Sequence, residues 1–351
     1  MAYAIPDGRV AMAATTYTGT GANASIVNTI NGVSFQPDFV WIKNRTTGYN
    51  HVLQDSIRGA TAAAKLSSNL LDVEGSSNLA PYGNVSAFNS NGFSLVAGSI
   101  DSRQTNNGSE TFIGWQWKAG GTAVSNTAGT ITSSVSANTT TGFSVVTYTG
   151  TGPAATVGHG LGVAPSFIII KSRSNSDNWY AYHSSIGNTV SLNPNLSDAA
   201  YTSSTYWNNT SPTASVFTIG TIPSQSGWTY IAYCWAAVPG YSAFGSYTGN
   251  GSADGPFIYT GFRPRWLMIK NSSAAGFDWI VYDSSRNTYN AAGTNLRPNT
   301  SGAEGTQTAN LLDFVSNGIK IRGDATGSIN TAATYIYAAF AENPLKYANA
   351  R

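Results

Sequence analysis

Apolar residues along this chain fall in short runs that alternate with polar ones or continue for five or six positions, and no long helix can be placed. Three runs share one form: "PDFVWIK" (37–43), "PSFIIIK" (165–171) and "PRWLMIK" (264–270). Each reads proline, any residue, an aromatic, an apolar residue, any residue, isoleucine, lysine. A run of this length predicts a central β-strand. A tyrosine turn precedes each: "YTGTG" from Tyr17, "YTGTG" from Tyr148 and "YTGNG" from Tyr247. The distance from that tyrosine to the proline is 20, 17 and 17 residues, a spacing that marks a repeated fold unit.

Further elements keep the same order. "HVLQDS", "WYAYHS" and "WIVYDS", ending at Ser56, Ser184 and Ser284, each follow the lysine by a turn's length and read as the second arm of a hairpin. "FNSNGFSLV" (88–96) and "FVSNGIKI" (314–321) carry Asn-Gly, a strong hairpin signal. Aromatic strands close the copies: "FIGWQWKA" from Phe112, "YIAYCWAA" from Tyr230, "YIYAAFAE" from Tyr335. Alternate residues put Ile113, Trp115 and Trp117 on one face, with Ile231, Tyr233 and Trp235, then Ile336, Ala338 and Phe340, in the other copies. That face is expected to make each copy's own core. The opposite face, Gln116 and Lys118 against Cys234 and Ala236, is expected to be covered by a neighbour in the second copy. Segment 129–150 alternates on both sides of a Thr/Gly turn and predicts a further hairpin.

The expected fold is therefore all-β, as three tandem β-sandwich modules of jelly-roll type. They span 1–118, 119–240 (a linker hairpin and the second module) and 241–351, packed side by side or around a local pseudo-threefold axis. Ile42, Ile170 and Ile269, at one position of the repeat, should all be buried.

Composition narrows the function. Only 10% of residues are charged, glycine numbers 37, and the net charge is +2. Such a surface is hydroxyl and amide, with no field to draw nucleic acid or anionic membrane. The single cysteine, Cys234, excludes a disulfide framework within the chain. "MAYAIPDGRV" lacks a signal peptide's basic and apolar regions, and no apolar run approaches the ~20 residues that span a bilayer. Synthesis in a cytoplasm without export by the usual route, and no membrane insertion, are expected.

No catalytic constellation emerges. His51, His159 and His183 lack metal-ligand spacing, and the Gly-rich setting of His159 reads as a turn with an exposed imidazole. Asp55, His183 and Asp283 share one place in the copies, each before a serine; bonding to the backbone of their own turns accounts for them. Asp72, Glu74, Asp101 and Glu110 offer carboxylates in the first copy alone. Lys43, Lys171 and Lys270 are expected to end their strands with the ammonium in solvent. No catalytic residue, metal ligand or cofactor is assigned.

Aromatics beside amides and hydroxyls are more suggestive, since a sugar ring stacks its C–H face and hydrogen-bonds its hydroxyls. "SDNWYAYH" and "TYWNNTS" make Trp179, Tyr180, Tyr206 and Trp207 the candidate binding residues. Trp279 and Tyr289 of "FDWIVYDSSRNTYN" are similar. The competing reading is core, because Trp179 and Trp279 align. Trp207 has no aligned aromatic, so its replacement by alanine is expected to spare folding and reduce adsorption to a host.

The run "WQWKAGGTAVSNTAGTITSSVSANTTTGFSVVTYTGTG" with "VGHGLGVAPSFIIIKSRSNSDNWYAYHSS", and the ending "NGIKIRG…YIYAAFAENPLKYANAR", resemble modules of tailed-bacteriophage virion proteins of tail fibre-like type. The resemblance covers nearly the whole chain. It implies a β-sandwich structural protein of the virion, made in the host cytoplasm, with no catalytic residues to carry over. Expected partners are other virion proteins and a host-surface glycan, with a homo-oligomer in the particle. The repeats begin within some 20 residues of Met1 and no heptad run would trimerise a shaft. The modules themselves, or another protein, are thus expected to provide docking. A capsid decoration or head-fibre protein, and a carbohydrate-binding lectin, are the alternative expectations.

Overall fold

In the computed structural model, which describes residues 8–30 and 32–342, the lysine-terminated runs are strands over Phe39–Asn44, Phe167–Ser172 and Pro264–Asn271. The segment "NPLKYANAR" and the extreme ends of the expected first and third modules lie outside the described residues. Each lysine strand is held between two antiparallel neighbours. One is the aromatic closing strand: Thr111–Trp117, Thr229–Trp235 or Thr334–Ala341. The other is the hairpin partner: Val52–Asp55, Trp179–His183 or Ile280–Asp283. The tyrosine-bearing entry strands, Met12–Thr18, Phe143–Thr149 and Ser242–Thr248, add to the free side of the closing strands.

Register repeats with the order. Trp117, Trp235 and Phe340 lie opposite Phe39, Phe167 and Trp266 on one side, and opposite Met12, Phe143 and Ser242 on the other. At the end of each entry strand the tyrosine ring stacks on the first aromatic of the closing strand. Tyr17 meets Phe112 at 5.2 Å, Tyr148 meets Tyr230 at 5.1 Å and Tyr247 meets Tyr335 at 4.9 Å. The three phenols donate to the carbonyls of Thr105, Pro223 and Ile329. The glycine two residues on is required by contact rather than by φ. A Cβ on Gly19, Gly150 or Gly249 would sit 1.9, 2.4 or 2.1 Å from a backbone oxygen.

The two faces of each four-strand unit have different fates. One face packs on a small outer sheet and gives each repeat a private core. Ile26, Val40, Ile42, Val85, Phe93 and Phe112 form it in the first repeat. Ile168, Ile170, Phe217 and Ile219 serve in the second, and Leu267, Ile269, Phe314 and Ile319 in the third. Ile42, Ile170 and Ile269 are buried as expected. The other face, with the closing-strand tryptophans, does not close on its own repeat. Trp41, Trp115, Trp117, Phe167, Trp235, Trp266 and Phe340 belong to one core shared by all three repeats. Gln116 and Cys234, conversely, lie on the private side and are fully buried. Alternation showed that the faces differ; only the sheets' mutual packing decides what covers them.

The fold is all-β, with antiparallel sheets packed as sandwiches. Ser133–Asn138 extends the second entry strand as a hairpin, as read from segment 129–150. The "SNG" corners place Ser90–Asn91 and Ser316–Asn317 at the turn, with Gly92 and Gly318 opening the return strands. Among the described residues the only α-helix is Ser204–Trp207, and no helix is long and apolar enough to cross a membrane.

Candidate functional site

One set of buried polar groups lies where one repeat meets the next, and a short motif prepares each meeting. "LSSN" (66–69), "LNPN" (192–195) and "LRPN" (296–299) follow the hairpin partner strands. The leucine anchors the loop in the shared core. The asparagine Oδ1 of Asn69, Asn195 and Asn299 accepts the backbone N–H of His51, Trp179 and Trp279 at 3.0, 2.9 and 3.0 Å. So fixed, the loop turns its carbonyls towards the neighbouring repeat. Spacing in a loop has no strand or helix period, so this motif escaped the hydrophobic pattern; comparing the aligned copies would have found it.

Two side chains of the neighbour receive those carbonyls. Trp179 Nε1 donates to Ser67 O at 2.8 Å and Trp279 Nε1 to Asn193 O at 3.1 Å. In the first repeat the position is His51, whose Nδ1 accepts from Trp41 Nε1 at 2.9 Å. Its Nε2 therefore carries the proton and donates to Arg297 O at 3.0 Å. The strand-ending lysines repeat the pattern: Lys171 to Leu71 O at 3.0 Å, Lys270 to Ser197 O at 3.2 Å and Lys43 to Ser301 O at 3.0 Å. The second repeat grips the first, the third grips the second and the first grips the third. These are heterologous contacts that close a ring of three. The lysines were expected in solvent and are instead buried, because a neighbour's carbonyls, with those of Asn44, Ser172 and Phe277, replace water around each ammonium.

Asp55, His183 and Asp283 do bond their own turns: Asp55 Oδ1 accepts from Arg58 N, Asp283 Oδ1 from Arg286 N, and His183 Nδ1 from Ser185 N. Each also faces the next repeat. Asp55 Oδ2 takes the Tyr233 hydroxyl at 2.9 Å and Asp283 Oδ2 takes Trp115 Nε1 at 3.0 Å. The matching closing-strand residue facing His183 is Ala338, which has no side-chain donor. There the imidazole Nε2 donates to Tyr337 O at 3.0 Å. Around the aspartates, charge runs on: Asp55–Arg58–Glu74–Arg173 at one junction and Asp283–Arg286–Glu304–Arg45 at another. At the third junction all four positions lack charge partners: His183, Ile186, Ala200 and Ser272. The backbone bond is kept at all three, from the N–H of Glu74, Glu304 and Ala200 to the carbonyls of Arg173, Arg45 and Ser272.

Burial pushes the ammonium groups down, Lys43 to about 7 and Lys171 and Lys270 to about 8. Asp177 and Asp72 beside Lys171, and Asp278 and Asp198 beside Lys270, oppose part of that shift. Between these values and the unfolded value of ~10.4 the unfolded chain holds more protons than the folded one, so stability rises with pH. Buried tyrosines such as Tyr148 and Tyr247 are pushed upward by burial, which reverses the slope only above ~10, where unfolded phenols ionise. The urea midpoint should therefore increase from pH 7.5 to 9.5, by roughly 1 kcal/mol or more in stability. A flat or falling profile would mean that the lysines stay charged throughout.

The candidate binding residues lie inside. Trp179 and Tyr180 are strand residues exposed by 1% each, and Trp207 is equally buried. Trp179 joins the shared core, while Tyr180 and Trp207 join the private core of the second repeat, with Tyr206 packed half-buried against it. Trp207 sits edge-on to Tyr182 at 5.6 Å. Its lack of a counterpart reflects a local replacement: where the first and third repeats run a third outer strand, Asn84–Asn89 and Leu312–Val315, the second forms a short helix, capped by Ser203 and ended by left-handed Asn208, that tucks the indole inward. These residues therefore present no open stacking face. Trp207→Ala should cost about 3 kcal/mol and broaden the second repeat's NMR spectrum; an unchanged melting midpoint would place the indole outside the core. Trp279 is buried too, and His159, expected exposed, is buried with Nε2 on Thr213 O. Tyr289 is 84% exposed. Among the described residues the other large rings in solvent are Phe257 and Tyr259, which the sequence reading passed over.

Among the described residues no group of three or more His, Cys, Asp or Glu could hold a metal ion. The model of a family described as Domain of unknown function (DUF7483) matches residues 10–344. No curated protein and no solved structure matches the chain.

Proposed function

The chain belongs to the family described as Domain of unknown function (DUF7483), and from its own geometry we propose a non-enzymatic structural component of a bacteriophage particle. Its place in this reading is the tail, as a fibre, tip or receptor-contacting part. The observation that carries the reading is where the repeat's ionisable and ring-nitrogen residues go. Lys43, Lys171 and Lys270 at one place in each copy, and Asp55, His183 and Asp283 at another, are buried and are used on the next copy or its loop. Groups that could do chemistry serve to lock a ring. A closed three-part ring in one chain is a rigid body with three differently decorated outer faces, which suits a particle that meets its partners by shape. The resemblance of the repeats to tail fibre-like virion modules points the same way.

Mass spectrometry and immunogold labelling of gradient-purified particles from the phage that encodes the chain test this. The protein should sediment with the particle and stay through about 1 M salt, because a surface with sparse charge makes contacts that ions screen little. A few copies per particle fit a tail part, whereas tens or more would move it to the head as a decoration protein. Absence from the particle, or release by salt alone, would overturn the proposal.

A further inference from the structure

We propose that the outer sheet of the third repeat is a binding platform for a neutral glycan, with Phe257 and Tyr259 as its stacking rings. The argument begins with the strand Phe257–Tyr259, in which the middle residue, Ile258, is buried and its two neighbours are 50% and 64% exposed. Both rings thus project from one side of the sheet, about 7 Å apart by strand geometry. Among the described residues neither has a stacking partner. Register places Phe257 opposite Lys320 and Tyr259 opposite Gly318. A Cβ on Gly318 would meet the Phe257 ring at 3.0 Å. The phenylalanine therefore lies across the bare glycine and turns its other face to solvent.

The other repeats show that the fold does not ask for these rings. Their matching strands are Ala24–Val27 and Ala155–Gly158, with Ile26 and Val157 at the buried position of Ile258. At the matching positions the first repeat exposes Ser25 and Val27, and the second carries half-buried Thr156 and buried Gly158, which packs against Asn126, where the third repeat carries the two aromatics. Copies agree on what packing needs and differ on what faces out. An exposed aromatic pair kept where a hydroxyl suffices has no account within the fold.

Charge and area choose the occupant. Lys320 pairs with Asp254 at 2.6 Å and Arg322 with Asp313 at 2.7 Å, so the face carries both signs in matched pairs and offers no net attraction to a charged polymer. Asp254, 85% exposed at its side chain and paired with Lys320, the residue opposite Phe257, leaves a carboxylate oxygen in solvent as an acceptor for hydroxyl groups. Two half-exposed rings present a few hundred Å² at most, well short of the ~800 Å² per partner in a stable protein interface. A stretch of two or three neutral sugar rings matches that size, stacking on the aromatics while its hydroxyls meet the carboxylates.

The inference goes beyond the virion reading, and its glycan-binding arm does not need that reading, since it is measured on the isolated chain; only the particle-association arm rests on it. A printed array of bacterial polysaccharides would be probed with the full chain, and hits followed by saturation-transfer NMR with the purified oligosaccharide. Neutral glycans should bind, and Phe257→Ala with Tyr259→Ala should weaken binding at least ten-fold with the melting midpoint and particle association unchanged. Ser25→Ala, at the matching site of the first repeat, should do nothing. No neutral glycan bound, a preference for charged ones, or binding that survives the double replacement would each overturn the proposal. So would a double variant that loses attachment to purified particles instead, which would make the rings a protein contact.

Discussion

Replacing Trp117 with alanine should lower the stability of the entire chain by about 3–5 kcal/mol and shift a single unfolding transition rather than split it. Trp117 is 1% exposed and lies on the last of three inward positions of its closing strand. Its ring meets Phe39 of its own repeat at 5.4 Å, Trp235 of the second at 6.1 Å, and Trp266 and Phe340 of the third at 5.4 and 5.7 Å. No repeat can keep its inner sheet face buried while another is unfolded, because the three faces cover one another. The cavity left by the indole is bounded by rings on three separate sheets, none free to collapse into it without moving its own strand. Calorimetry provides the check: the transition enthalpy should equal the van't Hoff enthalpy in both proteins. Two or more resolved transitions, with only one shifted, would show that each repeat has a self-sufficient core.

That shared core also marks how far the sequence could be read. Strands, their order and the hairpins were legible because period two survives in "WQW", "YCW" and the runs ending in lysine. Burial of Ile42, Ile170 and Ile269 was legible from position within the repeat. What covers a face was not, since alternation separates two sides without saying which one meets a neighbour. The lysines misled for the same reason: a lysine at a strand end reads as solvated unless the neighbouring repeat's carbonyls that receive it, 73 to 258 residues away, are known. Trp207 misled in the opposite sense, as an unmatched residue that belongs to a short helix standing where the other repeats have a strand, and to the core beneath it. Phe257 and Tyr259 show what an unmatched exposed residue looks like, and only burial separates the two cases.

The junctions between repeats hold the second large effect. Arg286 is wholly buried, its Nε on Asp283 at 2.6 Å, one terminal nitrogen on Glu304 at 3.0 Å and the other on Val281 O at 3.1 Å. Arg286→Ala removes the only cation that pairs directly with Asp283 among the described residues, and leaves its carboxylate buried with only neutral donors. Breaking a buried pair from one side costs about 3–5 kcal/mol. Glu304 loses less, because Arg45 still holds both of its oxygens at 2.8 and 2.9 Å. Coulomb attraction within the network is not what the junction requires, however, for the second repeat builds the same junction with His183, Ile186 and Ala200. Burial holds that imidazole down to about 4, so it is neutral and serves as a plain donor. Arg286→Ile combined with Asp283→Asn and Glu304→Ala should therefore recover most of what the single change loses, since an apolar side chain refills the space and no carboxylate is stranded. Denaturant unfolding of the single and triple variants decides the matter. A loss below about 1 kcal/mol in Arg286→Ala would show the network to be solvated in solution, and a triple variant no better than the single would mean that the charges themselves hold the ring closed.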